Sequence, residues 1–232
     1  MKRATLRIVA GMLALWGTSA AMASQLAELP RVILDTAYSA PAGATIVVAA
    51  NGNLQAALNR ARPGDQVLLG PGATYSGNFV LPRTSRNGVA IHVRTNVPYG
   101  TLPSEGVRMT PKAAAALRLA RIVTPNKASA ITVAAGAANW RVVGVEITMD
   151  PSLLALNALV RVGDPAQRTL DSVATNVVLD RVWMHGWPTR TLRRAIILSS
   201  ASTAVIGRAQ CEASRSCCGT FRARPTVFLL SV

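Results

Sequence analysis

The sequence predicts an all-β fold, a solenoid of short stacked strands closed at its N-terminal end by a small helix. Three observations carry this expectation. Half of the 232 residues are hydrophobic and only 4% are aromatic, so the core must be built from Val, Ile, Leu and Ala, which suit stacked strands. Short apolar runs recur along the chain, each broken by Gly, Pro, Asn or Thr. Helices between those runs are missing, which disfavours a doubly wound α/β fold. An antiparallel β-sandwich is the runner-up. It calls for Asn-Gly hairpin turns, yet Asn51-Gly52 precedes a helix.

Thr45-Ile-Val-Val-Ala reads as the first strand. Leu54, Ala57, Leu58 and Ala61 then form one apolar helix face, with Asn53 as the N-cap. Arg62-Pro63-Gly64-Asp65 breaks the helix. Such a helix suits the exposed end of a strand stack. Val67-Leu68-Leu69, Phe79-Val80-Leu81 and Val89 to Arg94 are further strands. Residues 100–129 read as an excursion, a loop carrying a short surface helix that begins at Thr110-Pro111. Three repeats follow, each a strand, a turn and a second strand. The second strands begin at Asn139, Asn176 and Thr203.

Lys2, Arg3 and Arg7, the apolar run Ile8 to Ala21 and the Ala21-Met22-Ala23 site have the form of a signal peptide over 1–23. The apolar run is short for a membrane span, and no later run is long enough, so a secreted protein, extracellular or periplasmic, is expected. The formal net charge is +15. Three of those charges leave with the signal peptide and a net three lie beyond residue 207, which leaves +9 over 24–207. The arginines are scattered and no helix carries a basic stripe, so nucleic acid is not the expected partner. An acidic polysaccharide or an anionic surface suits the charge better.

The segment Gly52-Asn-Leu-Gln-Ala-Ala-Leu-Asn-Arg-Ala-Arg-Pro-Gly-Asp-Gln-Val-Leu-Leu, with Gly72 to Phe79, Asn139 to Thr148 and Asn176 to Gly186, resembles pectate-lyase-like right-handed parallel β-helix proteins. The resemblance covers 45–207. It implies a right-handed parallel β-helix of about four coils, with polysaccharide as the substrate or ligand. No cofactor is evident from the residues: no Asp/Glu cluster suggests a calcium cage and no Cys/His spacing suggests a metal site, so calcium enters only as what the resemblance implies. The implied activities are polysaccharide lyase or glycoside hydrolase. The alternative is a non-enzymatic surface or adhesin-type protein that binds carbohydrate.

Placing Asn139 over Asn176 puts Glu146 on Trp183 and Thr148 on His185. All four then point outward, while Val145, Ile147, Val182 and Met184 point inward. Glu146, Asp180, Arg181 and His185 are the catalytic candidates, and Trp183 with His185 is the candidate sugar-stacking surface. Asp180 and Arg181 sit at a turn, where an Asp commonly satisfies backbone N–H groups. No paired carboxylates recur on neighbouring strands, so the glycosidase arrangement is not visible. Residues 208–232 depart from the repeat and contain all three cysteines, Cys211, Cys217 and Cys218. They read as an out-of-frame tail on a fragment, inactive as it stands; the alternative is a genuine divergent tail that folds back as a cap.

Overall fold

The computed structural model describes residues 38–199, apart from 87 and 106, and the strands Thr203–Glu212 and Phe228–Leu230. Residues 1–23, expected as a signal peptide, and Cys217 and Cys218 lie outside the described residues. In chain order the elements are β1 (Thr45–Val48), α1 (Leu54–Arg60), β2 (Gln66–Leu69), β3 (Thr74–Ser76), β4 (Phe79–Leu81), β5 (Ile91–Thr95), α2 (Pro111–Ala116), β6 (Ala120–Thr124), β7 (Ile131–Val133), β8 (Ala138–Val143), β9 (Val145–Met149), β10 (Ala155–Val162), β11 (Thr175–His185), β12 (Thr191–Leu198), β13 (Thr203–Glu212) and β14 (Phe228–Leu230).

These strands form two sheets. The larger has ten strands, in the order β1-β2-β5-β8-β11-β9-β6-β3, with β13 on β11 and β14 on β13. The smaller runs β12-β10-β7-β4. All pairings are parallel except β13 with β14. The expected right-handed parallel β-helix, a single-stranded solenoid of about four coils, is therefore corrected to a mostly-β fold of two parallel sheets with two short α-helices. The reason lies in β11. This strand of 11 residues pairs with β8 along its first half and with β9 along its second. Two runs of strands thereby join into one broad sheet, and an antiparallel pair extends it.

The helix ends follow from their caps. Asn53 Oδ1 accepts from the Ala56 N–H at 2.9 Å at the start of α1, and Thr110 Oγ1 accepts from Ala113 N–H before Pro111 of α2. Helix α1 buries Leu54, Ala57 and Leu58 in the main core. On its other side the Gln55 amide meets the edge strand β4, donating to Val80 O at 3.0 Å and accepting from Val80 N–H at 2.8 Å. One side chain thus satisfies both backbone groups of an edge residue that pairing would otherwise leave open. The region expected as an excursion holds α2, and its last part, β6, is a strand of the larger sheet between β3 and β9.

Val145, Ile147, Met149, Val182 and Met184 all enter the main core, together with the fully buried Trp140. The expected register holds at the strand starts. Thr175 pairs with Ala138 and Val177 with Trp140, which sets Asn176 beside Asn139. Both asparagines have left-handed backbones (φ 50° and 58°), and Asn176 Nδ2 donates to Asn139 Oδ1 at 2.6 Å. Asn139 Nδ2 in turn donates to the carbonyls of Ser85 and Arg86. Replacing Asn139 by Ala removes these bonds and puts a β-carbon residue without a local polar partner at positive φ. Asn139→Ala is expected to lower stability by about 2–4 kcal/mol in urea denaturation. Asn139→Gly, which keeps the backbone freedom, should lose about half as much.

Candidate functional site

The outer row of the larger sheet is set by backbone register. Arg121 on β6 pairs with Glu146 on β9, and Glu146 pairs with Trp183 on β11. Two residues along β11 on the same face comes His185, and just past the strand end comes Trp187. Arg121 Nε donates to Glu146 Oε1 at 2.6 Å and Nη2 to Oε2 at 3.3 Å. His185 Nε2 lies 3.0 Å from the same Oε1. The carboxylate is therefore gripped from two neighbouring strands.

The expected outward face is present but covered. Glu146 is only 4% exposed, His185 8% and Thr148 1%. Trp183 is half-buried, because it packs against the satellite cluster of Leu102, Met109, Ala114, Leu119 and Val143 formed under the 96–119 insert. Its ring stacks on His185 at 4.1 Å between centroids, and Trp187 meets His185 edge-on at 5.7 Å. Trp187 Nε1 donates to Met149 O at 2.7 Å, fixing that ring. The open part of the row is Arg121, whose side chain is 46% exposed.

Burial alone would push the Glu146 carboxyl up. The hydrogen bond from His185 and the guanidinium of Arg121 outweigh it and hold the group below its ordinary value. Glu146 is thus an anion at neutral pH, unlike a general acid of raised pKa. The His185 ring is also committed, since Nδ1 lies 3.0 Å from Gly186 O while Nε2 faces Glu146. Neither nitrogen is turned toward a substrate.

Asp180 and Arg181 form a separate site. Arg181 is an extra residue in β11 relative to β13, where the register shifts between Asp180 and Val182. Its left-handed backbone (φ 49°) puts its side chain beside that of its neighbour. Arg181 Nε donates to Asp180 Oδ1 at 3.0 Å and Nη2 to Oδ2 at 2.6 Å. The guanidinium also donates to Pro103 O at 3.0 Å and to the Tyr99 hydroxyl, and its carbon sits 4.5 Å from the centre of the Tyr99 ring. The turn Asp expected to serve backbone N–H groups is instead paired with a buried arginine. That pair staples the 96–119 insert to the sheet.

Sequence reasoning did not find Arg121 or Tyr99. Arg121 had a signal in the alternation of Ala120-Arg-Ile-Val-Thr, masked by its position inside an apparent loop. Tyr99 had none. The structure brings Glu146, Trp183 and His185 together and leaves Asp180 and Arg181 apart. Among the described residues no group of three or more His, Cys, Asp or Glu is placed to hold a metal ion.

No family model matches the chain, and no curated protein matches it. Among solved structures the chain is similar to an alginate lyase from Paenibacillus sp. str. FPU-7, at a TM-score of 0.43 and 17% identity. The match covers 66% of this chain and 39% of that one. A likeness of that degree carries no functional argument. The pectate-lyase-like resemblance therefore rests on the sequence motifs.

Two outcomes are expected from stability measurements. A carboxyl with a lowered folded-state pKa stabilises above its unfolded value, about 4.5, and that contribution disappears as pH falls through the folded value. The stability difference between wild type and Glu146→Gln should be about 1–2 kcal/mol at pH 7 and shrink steadily below about pH 4.5. A difference independent of pH would refute the ionised network. At the second site, Arg181→Met leaves Asp180 buried without its cation and should cost about 3–5 kcal/mol. Adding Asp180→Asn should recover part of it.

Proposed function

We propose that the chain binds an anionic polysaccharide on the Arg121–Glu146–Trp183 face and does not cleave it by paired-carboxylate chemistry. One observation carries the reading: a half-exposed guanidinium lies in the same row as a half-buried indole, with the Glu146 carboxylate fixed between them. Arg121 and Trp183 are two strands apart, roughly 10 Å. A guanidinium recognises a carboxylate or sulfate by paired hydrogen bonds, and the part of the indole left uncovered by His185 and the insert offers apolar contact to a sugar ring. The scattered positive charge adds long-range attraction to a polyanion.

The hydrolytic alternative draws no support from the site. Hydrolysis needs two carboxyl groups flanking one bond. Glu146 is held by Arg121 and His185, and Asp180 is held by Arg181. Export, read from residues 1–23, belongs to the same proposal, since such polymers lie outside cells.

Affinity electrophoresis against a polyuronate tests the reading. Arg121→Ala and Trp183→Ala should each weaken retardation about tenfold, equivalent to about 1.4 kcal/mol, with Arg121→Ala also flattening the salt dependence. A neutral glucan should bind less tightly than the polyuronate. Equal retardation of all variants would overturn the assignment, as would release of unsaturated or reducing sugar ends during incubation.

A further inference from the structure

Two turns carry the chain from the larger sheet to the smaller one, residues 150–154 between β9 and β10 and residues 186–190 between β11 and β12. They lie side by side. Thr191 N–H donates to Leu154 O at 3.0 Å, and Ala155 pairs with Thr191. Arg190 ends the second turn, and its Nε donates to Pro151 O at 2.7 Å in the first. Arg193 and Arg194 follow on β12, an edge strand of its sheet, and both are exposed.

Positive charge collects on this rim. Residues 150–157 and 187–194 hold three arginines against one acid, Asp150. Asp150 Oδ1 is engaged by the Ser152 N–H at 2.8 Å and the Ser152 hydroxyl at 2.6 Å. Arg190 and Arg194 donate to neutral oxygens, Pro151 O and, at 2.8 Å, Asn157 Oδ1. Among the described residues none of the three guanidiniums has an ion-pair partner. Beside them Leu154 is 75% exposed, more than any other large hydrophobic side chain among the described residues. One exposed leucine is ordinary; its setting among unpaired guanidiniums points to a partner. A lipid headgroup layer uses both features, because anionic phosphates attract the cations and the acyl boundary takes up the leucine. A polyanionic sugar would meet the cations and leave the leucine in water.

We propose that this rim docks the chain on an anionic bilayer surface, with Leu154 entering the headgroup boundary and Arg190, Arg193 and Arg194 against the phosphates. The rim does not include Arg121, and the proposal does not depend on the polymer-binding reading. The probe is vesicles of phosphatidylglycerol and phosphatidylcholine in equal parts, with phosphatidylcholine alone as the neutral control, added to the full chain. The readout is amide hydrogen exchange at 151–155 and 188–194, which locates the contact on the rim and not on residues 1–23. The anionic vesicles should slow exchange there saturably, and the neutral ones should not. The lipid concentration giving half of that protection should rise about fivefold in Arg193→Ala and in Arg194→Ala, and about tenfold in Leu154→Ser. Arg193→Lys combined with Arg194→Lys should behave as wild type, since a diffuse surface potential reads charge and not the guanidinium fork. Arg121→Ala should also leave the protection unchanged. Absence of protection at both turns, equal protection by neutral vesicles, or unchanged half-saturation in folded Leu154→Ser would each overturn the proposal. Polyuronate retardation that falls in Arg193→Ala and Arg194→Ala, with no vesicle protection of these amides, would overturn it in favour of a second sugar-polymer contact.

Discussion

The buried guanidinium of Arg181 holds the corner on which the rest of the larger sheet turns. At that corner β8 passes into β9 through a single residue, Gly144, whose φ of 56° answers the 49° of Arg181 on the neighbouring strand. Gly144 N–H donates to Asp180 O at 3.1 Å, so the two bends are locked together. A β-carbon on Gly144 would come within 2.9 Å of Leu102 Cδ2, from the insert. Thr95 completes the junction. Its hydroxyl donates to Gly144 O at 2.6 Å and accepts from Ala120 N–H at 2.9 Å, joining the end of β5 to the start of β6. The same bend is made by residues 70–73 between β2 and β3, by one glycine between β8 and β9, by one bulged residue within β11, and by the whole 96–119 insert between β5 and β6. Because β11 does not break there, strands on both sides of the corner share one sheet.

This arrangement explains which parts of the fold could be read in advance. The α1 helix, its Asn53 cap and the inward set Val145, Ile147, Val182 and Met184 were legible because local spacing determines them. The pairing of Asn139 with Asn176 was legible because both begin an apolar run. The joining of two strand runs through β11 was not. A single bulged residue decides it, and Asp180-Arg181 looks like an ordinary turn dipeptide. Strand β6 was hidden for a related reason: a long insert preceded it, so Ala120 to Thr124 read as the end of a loop.

The candidate site shows the same division. Period-two alternation placed Glu146, Thr148, Trp183 and His185 on one face, but alternation cannot say what covers that face. The insert covers much of it, since α2 and Leu102 pack over Trp183 and Val143. A face expected to be open is therefore mostly closed, and what remains accessible is chiefly charged. Burial then decides the chemistry. In a partly desolvated site an ionised carboxylate needs partners, and Glu146 finds them in Arg121 and His185. Partners that hold a carboxylate as an anion also occupy the lone pairs it would use on a substrate. The network suits holding a sugar better than cutting one.

The corner also divides the positive charge of the sheet into two settings. On one side Arg121 is neutralised within the protein by Glu146 and reaches solvent, where a polymer can meet it without burying the ion completely. On the other side Arg141 and Arg94 flank a histidine that burial keeps uncharged at neutral pH. Desolvation thus separates the two settings: Arg121 keeps its charge at the surface beside its carboxylate, whereas Arg141 and Arg94 add to the burial that keeps His92 neutral.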